Sequence, residues 1–327
     1  MAYIYVKQIG SKKYYYLRVD KRVNGKKIVK DIAYLGSDLS KVDVKKLISS
    51  SKYGKEITKS YKQINHLITS NYYYRKAELL KYKKNTYLTK EQLIRLNAIS
   101  FHFSSNFKKL HQLTAADFLN NFVISYTYNT TSIEGNTIAL ADVKKILTDD
   151  SIYLKNKTLR EIYDLRNTKD TFNYIFKNTL KLSLKVIIDI HKKLMKDVDD
   201  RVGFRNFDVR VFKSHFKSSL YFRIDKEIND LLSWFNISKE NIFVRAVIFH
   251  HKFEKIHPFG DGNGRTGRML LNLILLNNNL PPLIITKKNK KFYFDSLSIA
   301  DKKEDYSFLI SFLLDEYEKG YWQHFIS

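Results

Sequence analysis

The residues able to do chemistry are gathered in one short run. Positions 256–268 read Ile-His-Pro-Phe-Gly-Asp-Gly-Asn-Gly-Arg-Thr-Gly-Arg, and they hold four of the chain's 11 glycines: Gly260, Gly262, Gly264 and Gly267. Glycine is favoured where the backbone turns with positive φ or comes close to a ligand, so this composition marks a tight loop built around something. Arg265 and Arg268 are spaced i, i+3 at the start of an apolar run, which puts both guanidinium groups on one helical face. They also stand beside a helix N-terminus, whose free N–H groups attract anions. Two arginines and a glycine loop at a helix start describe a polyphosphate cradle. Asp261 could hold Mg²⁺ against those phosphates, because magnesium takes one or two carboxylates plus substrate oxygens. His257 is the only base in the loop that is uncharged near neutral pH. The chemistry expected is that of a nucleoside triphosphate.

This loop needs helices on both sides. The segment Asn241–Lys255 carries helical periodicity into it, and the apolar residues after Arg268 carry the helix out. His250 and His251 are adjacent and face different sides of their helix, so they read as packed residues rather than a metal pair. Upstream, Thr89-x-x-Gln92 is a capping box for a helix towards His111, and Thr114-x-x-Asp117 opens another through Tyr128. The same period runs through Leu140–Leu147, Leu159–Phe176, Leu184–Met195 and Asp225–Phe235, and returns in Tyr306–Tyr317. Residues 2–36 differ: they alternate, with an Asn24-Gly25 hairpin signal, and read as a three-stranded meander. Ser37-Asp38 caps a short helix over Val42–Ser50, and 51–88 is a Lys/Tyr-rich helical or linker stretch. The fold class expected is mainly α, with a small antiparallel β-sheet domain at the N-terminus. The divisions expected are 1–37 (small basic sheet), 38–88 (basic helical or linker region) and 89–327 (helical domain).

Composition narrows the setting. The chain has 327 residues, no cysteine and a formal charge of +25, so disulfides and thiolate metal sites are excluded. The N-terminus lacks the layout of a signal peptide, and no apolar run is long enough for a spanning helix. A cytoplasmic protein is expected. Residues 1–90 contain 22 Lys/Arg against 6 Asp/Glu, a net +16. A basic block interleaved with tyrosine suits nucleic acid or an acidic partner. The plainer alternative is the lysine-rich usage of an A/T-rich genome.

His257-Pro-Phe-Gly-Asp-Gly-Asn-Gly-Arg-Thr-Gly-Arg268 also resembles, without departure, the Fic signature His-x-Phe-x-(Asp/Glu)-Gly-Asn-Gly-Arg-x-x-Arg. The resemblance implies a Fic-type helical domain that moves AMP from ATP to a Ser, Thr or Tyr hydroxyl of a target protein. It makes His257 the general base, Asp261 the Mg²⁺ ligand, and Asn263 with the Gly262–Gly264 amides the stabiliser of the α-phosphate. Arg265 then grips the outer phosphates and Arg268 the γ-phosphate, while Gly264 leaves room for them. Gly203-Phe204-Arg205 resembles the approach to the family's flap, although Val202 stands where a proline is usual. Residues 209–219 then fit the flap itself, a β-hairpin on which a protein substrate docks by strand addition. Tyr293 resembles an aromatic on the adenine side. Upstream, Thr130-Thr-Ser-Ile-Glu-Gly-Asn136 resembles the family's inhibitory motif, which implies that Glu134 pairs with Arg268 within one chain. The short N-terminal sheet resembles those on some transposases, integrases and Fic proteins. Removal of AMP by the same residues is the alternative enzymatic reading. A nucleic-acid-associated regulator is the alternative of another class, and the sequence leaves a homo-oligomer open.

Overall fold

The structure is a computed structural model, describing residues 1–10, 12–149, 152, 154, 156–201, 203–209 and 218–326. Three strands open the chain: β1 (Ala2–Ile9), β2 (Lys12–Val23) and β3 (Lys26–Gly36), antiparallel in the order β1-β2-β3. Asn24 and Gly25 form the β2–β3 turn with φ of 51° and 76°, the positive pair that a two-residue hairpin requires. Alternation then directs Tyr15, Leu17 and Val19 inwards.

The cap expected at Ser37-Asp38 for the helix over 42–50 falls elsewhere. Asp38 caps only a 3₁₀ turn at Leu39–Lys41, and the helix that follows, α1 (Val44–Ser50), takes Asp43 as its N-cap. The stretch 51–88 contains α2 (Gly54–Lys59) and α3 (Tyr61–Glu78). Ile57 of α2 and Ile64 and Ile68 of α3 share one core with Leu17 and Val19 of the sheet. The sheet cannot bury a face alone, and these helices supply the missing layer. Further along α3, Tyr73 and Ala77 enter the main core instead, so α3 joins the two parts. Its mixed Lys, Asn and Tyr content hides the apolar stripe.

The rest is helical: α4 (Lys90–Ser105), α5 (Gln112–Ile133), α6 (Leu140–Thr148), α7 (Leu159–Lys177), α8 (Leu184–Leu194), α9 (Ile224–Ile237), α10 (Ile242–Ile256), α11 (Asn263–Asn277), α12 (Lys290–Lys303) and α13 (Ser307–His324). The expected capping box forms at Thr89 and Gln92, and a second forms at Thr158 and Glu161. Helix α5 starts earlier than its Thr114 signal suggests, with His111 as N-cap. It also runs past Tyr128, so Glu134 stands at its C-terminus. Helix α11 is the axis of the bundle, with every residue from Arg265 to Leu275 buried. A helix that is buried on all sides can be surrounded but not repositioned, which makes its N-terminus a rigid platform. No helix among the described residues is long and apolar enough to cross a membrane.

Candidate active site

The loop between α10 and α11 is held from several directions. Its first residue, His257, caps α10 in the left-handed region with φ 52° and ψ 59°, a conformation that costs a non-glycine residue free energy. Arg205 supports it: its Nε donates to the His257 carbonyl at 2.9 Å, and its own N–H donates to the Pro258 carbonyl at 2.9 Å. The same buried guanidinium donates to the carbonyls of Phe207, at 2.7 Å, and Ser219. It therefore ties the chain just before the expected flap, and the flap's last residue, to the loop. Residues 210–217 of that flap lie outside the described residues. Of its ends, Ser218 Oγ donates to the Val209 carbonyl at 2.8 Å.

Below the loop, Phe259 is fully buried and stacks on His191 of α8 at 3.6 Å between ring centroids. Asn263 fixes the loop through Phe259: it accepts from the Phe259 N–H at 2.9 Å and donates to the Phe259 carbonyl at 2.8 Å. Both ends of its amide are thus committed to loop shape. Gly262 turns the chain into α11 with φ 74°. A Cβ there would meet Met195 Sδ at 2.6 Å, so glycine is required by space as well as by φ.

The catalytic-type groups lie around this frame. His257 Nδ1 is 3.3 Å from the Glu254 carbonyl. A carbonyl only accepts, so the ring proton belongs on Nδ1 and Nε2 is left as the basic atom. Burial lowers the His257 pKa, with the Arg205 charge acting in the same direction and the Glu254 hydrogen bond opposing. Asp261 accepts from the Gly262 N–H at 2.6 Å and pairs with Arg160 of α7. Arg265 pairs with Asp164, one turn further along α7, and its Nη2 is 3.4 Å from Met195 Sδ. Burial pushes the Asp164 carboxyl up, against the pull of Arg265 and Arg160.

Arg268 is 3% exposed. Its Nε donates to Thr130 Oγ1 at 2.7 Å, and its Nη2 donates to the Thr130 carbonyl at 3.1 Å and to Glu134 Oε1 at 2.6 Å. Burial opposes the guanidinium charge, but Glu134, Tyr293 and Glu254 outweigh it and raise the Arg268 pKa. Glu134 is aimed by the end of α5. Its N–H reaches the Thr131 carbonyl at 3.0 Å, and Gly135 leaves the helix with φ 110°. A Cβ on Gly264 would collide with the Glu134 carboxylate. The carboxylate therefore lies directly over the first turn of α11.

Glu134, Asp261, Gly262, Gly264, Arg265 and Arg268 are thus brought to one helix end, with His257 and Asn263 in the same loop. Tyr293 is not on the cleft. It is 1% exposed and its hydroxyl meets His250 Nε2 at 2.7 Å, in the core behind Arg268. Sequence reasoning also passed over Arg160, Asp164, His191 and Glu254. The last is the one with a signal: it is a carboxylate on a largely buried helix, three residues before His257. Burial raises the Glu254 pKa to about 8, with Arg268 opposing and Glu134 adding. Glu254 comes so close to α11 that Gly267 could carry no Cβ.

Comparison with known proteins agrees with this geometry. The Fic/DOC family matches residues 181–275, the stretch that holds α8, α10, the loop and most of α11. Residues 181–275 are the part of this chain that is similar to a Fic domain. Among curated relatives, protein adenylyltransferase fic-1 of Caenorhabditis elegans is 28% identical over 54% of this chain and 36% of its own length. Protein adenylyltransferase Fic of Aedes aegypti is 31% identical over 55% of this chain and 37% of its own. This chain therefore spans little more than a third of the curated relatives it matches. A Fic-domain-containing signalling protein from Bacteroides thetaiotaomicron superposes with TM-score 0.63 at 19% identity, over 69% of this chain and 95% of that one. At that identity the likeness is one of fold, and the fold is that of the Fic domain.

Proposed function

We propose that this chain transfers AMP from ATP to a hydroxyl side chain of a protein and that Glu134 restrains the reaction. The observation that carries the proposal is the occupancy of the α11 N-terminus. Arg265 and Arg268 both point carboxylate partners into a glycine-lined helix end, where the orphan N–H groups favour an anion. Asp164 and Glu134 serve there as the anions that a polyphosphate would replace. Glycine at 264 leaves the space that a phosphate chain needs.

The donor set also fits Mg²⁺. Asp261 is a partly exposed carboxylate at the mouth of this cradle, and among the described residues no three acidic or imidazole groups form a site of their own. A single carboxylate completed by phosphate oxygens is the usual magnesium arrangement. Asp261 would hold the ion, which when bound would neutralise phosphate charge.

The chain's own residues do the rest. His257 Nε2 takes the proton from the attacking hydroxyl as its oxygen bonds to the α-phosphorus. The bond from that phosphorus to the bridging oxygen breaks, and pyrophosphate leaves with the electron pair. Arg265 and Arg268 orient the leaving end, and the α11 amides offset charge as it develops. Asn263 keeps the loop in the shape that aims them. Glu134 prevents productive seating by holding Arg268 and covering Gly264. Glu134 lines the same cleft as Asp261 and Arg265, which supports removal of AMP, with the carboxylate acting on water, as the second reading.

The test is mass spectrometry of a cell lysate incubated with ATP, Mg²⁺ and wild type, Glu134→Gly, or Glu134→Gly with His257→Ala. AMP-modified Ser, Thr or Tyr should appear with Glu134→Gly and vanish with the double variant. Lysate proteins unmodified in all three would refute transfer. Loss of AMP from a modified protein by wild type, and not by Glu134→Gly, would favour the second reading.

A further inference from the structure

The N-terminal sheet has two unlike faces. One is core, with Tyr15, Leu17 and Val19 packed on Ile57, Ile64 and Ile68. The other carries tyrosines in register. Tyr5 pairs with Tyr16 across β1 and β2, and Tyr16 with Tyr34 across β2 and β3, so three rings form one row over three strands. The Tyr16 and Tyr34 centroids are 5.1 Å apart, and Tyr34 is 58% exposed. Tyr3 and Tyr14 extend the array on the same face by alternation. Arg18 lies among them, with its guanidinium 3.4 Å from the Tyr5 ring centroid and paired with Asp31.

Charge on the sheet is one-sided. Residues 1–36 contain nine Lys/Arg and two acidic residues, Asp20 and Asp31. Both are already engaged, Asp20 by the amino terminus and Lys27, and Asp31 by Arg18. Lys7, Lys12 and Arg22 share the tyrosine face and have no carboxylate partner among the described residues. A genome-wide lysine bias does not account for this placement. The remaining 237 residues hold 36 Lys/Arg against 27 Asp/Glu, a far smaller excess per residue than that of the first 90.

We infer that this face binds single-stranded nucleic acid. Unpaired bases stack on a row of aromatic rings, while the flanking cations follow the phosphates, and neither contact needs a particular base. An acidic protein would use the cations without using the row of three rings. A duplex offers phosphates but keeps its base faces stacked internally, so it could engage only half of the surface. The proposal goes beyond nucleotide transfer at the Fic site, because it concerns the opposite end of the chain and different groups.

Fluorescence anisotropy of the full chain tests it, using labelled oligothymidylate and oligouridylate of about fifteen nucleotides, with a duplex of equal length and heparin as competitors. One of the single strands should bind more tightly than the duplex, with affinity falling steeply as salt rises. Tyr16→Leu and Tyr34→Leu should each weaken binding by about tenfold, whereas Tyr16→Phe keeps the ring and the affinity. Lys7→Gln should flatten the salt dependence and leave the preference for single strands intact. Tyr34→Leu is the safeguard against a folding defect at Tyr16, since its ring is mostly in solvent; an unchanged melting midpoint verifies it. Equal or tighter duplex binding, indifference to the loss of the rings, or no binding at low salt would each overturn the assignment.

Discussion

Replacing Glu134 by glycine should do two opposite things at once. The lost contact is a charge-assisted hydrogen bond of 2.6 Å to a guanidinium that is 3% exposed. Such bonds contribute roughly 1.5–3 kcal/mol, and the Glu134 side chain is 40% exposed, so solvent screening argues for the lower end. Removing a bias of about 1.5 kcal/mol raises the population able to receive a γ-phosphate roughly tenfold. ATP affinity should therefore rise by about that factor. Without nucleotide, however, Arg268 keeps the Thr130 hydroxyl and carbonyl and the nearby Tyr293 and Glu254 but loses its carboxylate hydrogen bond, and a buried charge losing its partner destabilises the fold. Glu134→Gly should thus unfold at lower denaturant than wild type when apo and recover when ATP is added. Isothermal titration with ATP and Mg²⁺, with urea melts beside it, measures both. Glu134→Ala separates the carboxylate from the backbone freedom of glycine. If ATP affinity does not change while the apo protein is destabilised, the ion pair is structural and the restraint argued above is wrong.

Three further outcomes follow from the site. His257→Ala in the Glu134→Gly background should lower transfer by roughly 10²–10⁴-fold with ATP affinity nearly unchanged; because burial holds the His257 pKa below its ordinary 6.5, the rate of the histidine-containing protein should hold as pH falls through 6.5 and drop only below it. Glu254→Gln should flatten the pH dependence of stability. The folded carboxyl keeps its proton to about pH 8 and the unfolded one only to about 4.5, so its contribution is full below the lower value and is lost as pH rises to the upper, by at most about 1.4 kcal/mol per unit. Urea midpoints at pH 5 and 8 should converge in the variant, and parallel profiles would show that Glu254 does not titrate this way. Arg160→Ala frees Asp261 from its α7 partner and should lower the Mg²⁺ concentration giving half-maximal transfer by a few-fold; an unchanged requirement would mean that the pair does not compete with the metal.

The loop was legible because its constraints are local. Gly262 and Gly264 are glycines for reasons of φ and space that composition reports directly, and the i, i+3 arginines follow from helix geometry alone. The Asn24-Gly25 turn and the Thr89 capping box were readable on the same grounds. What escaped was tertiary. Nothing at Arg160 or Asp164 shows that α7 will lie across the loop, and their spacing of four matches countless solvated helix faces. Tyr293 was misread because an aromatic beside a phosphate site and one behind it have the same sequence neighbours. Residues 51–88 stayed open between helix and linker because burial of the sheet, rather than their own periodicity, gives α2 and α3 a place. Asn263 shows the limit most clearly, since its side chain in this structure holds Phe259.

Labelled ATP offers the most direct test of the central claim. Glu134→Gly should place label from the α-position, and none from the γ-position, onto protein, with wild type about tenfold weaker or more. Label arriving from γ-labelled ATP, or wild type already as active as Glu134→Gly, would contradict it.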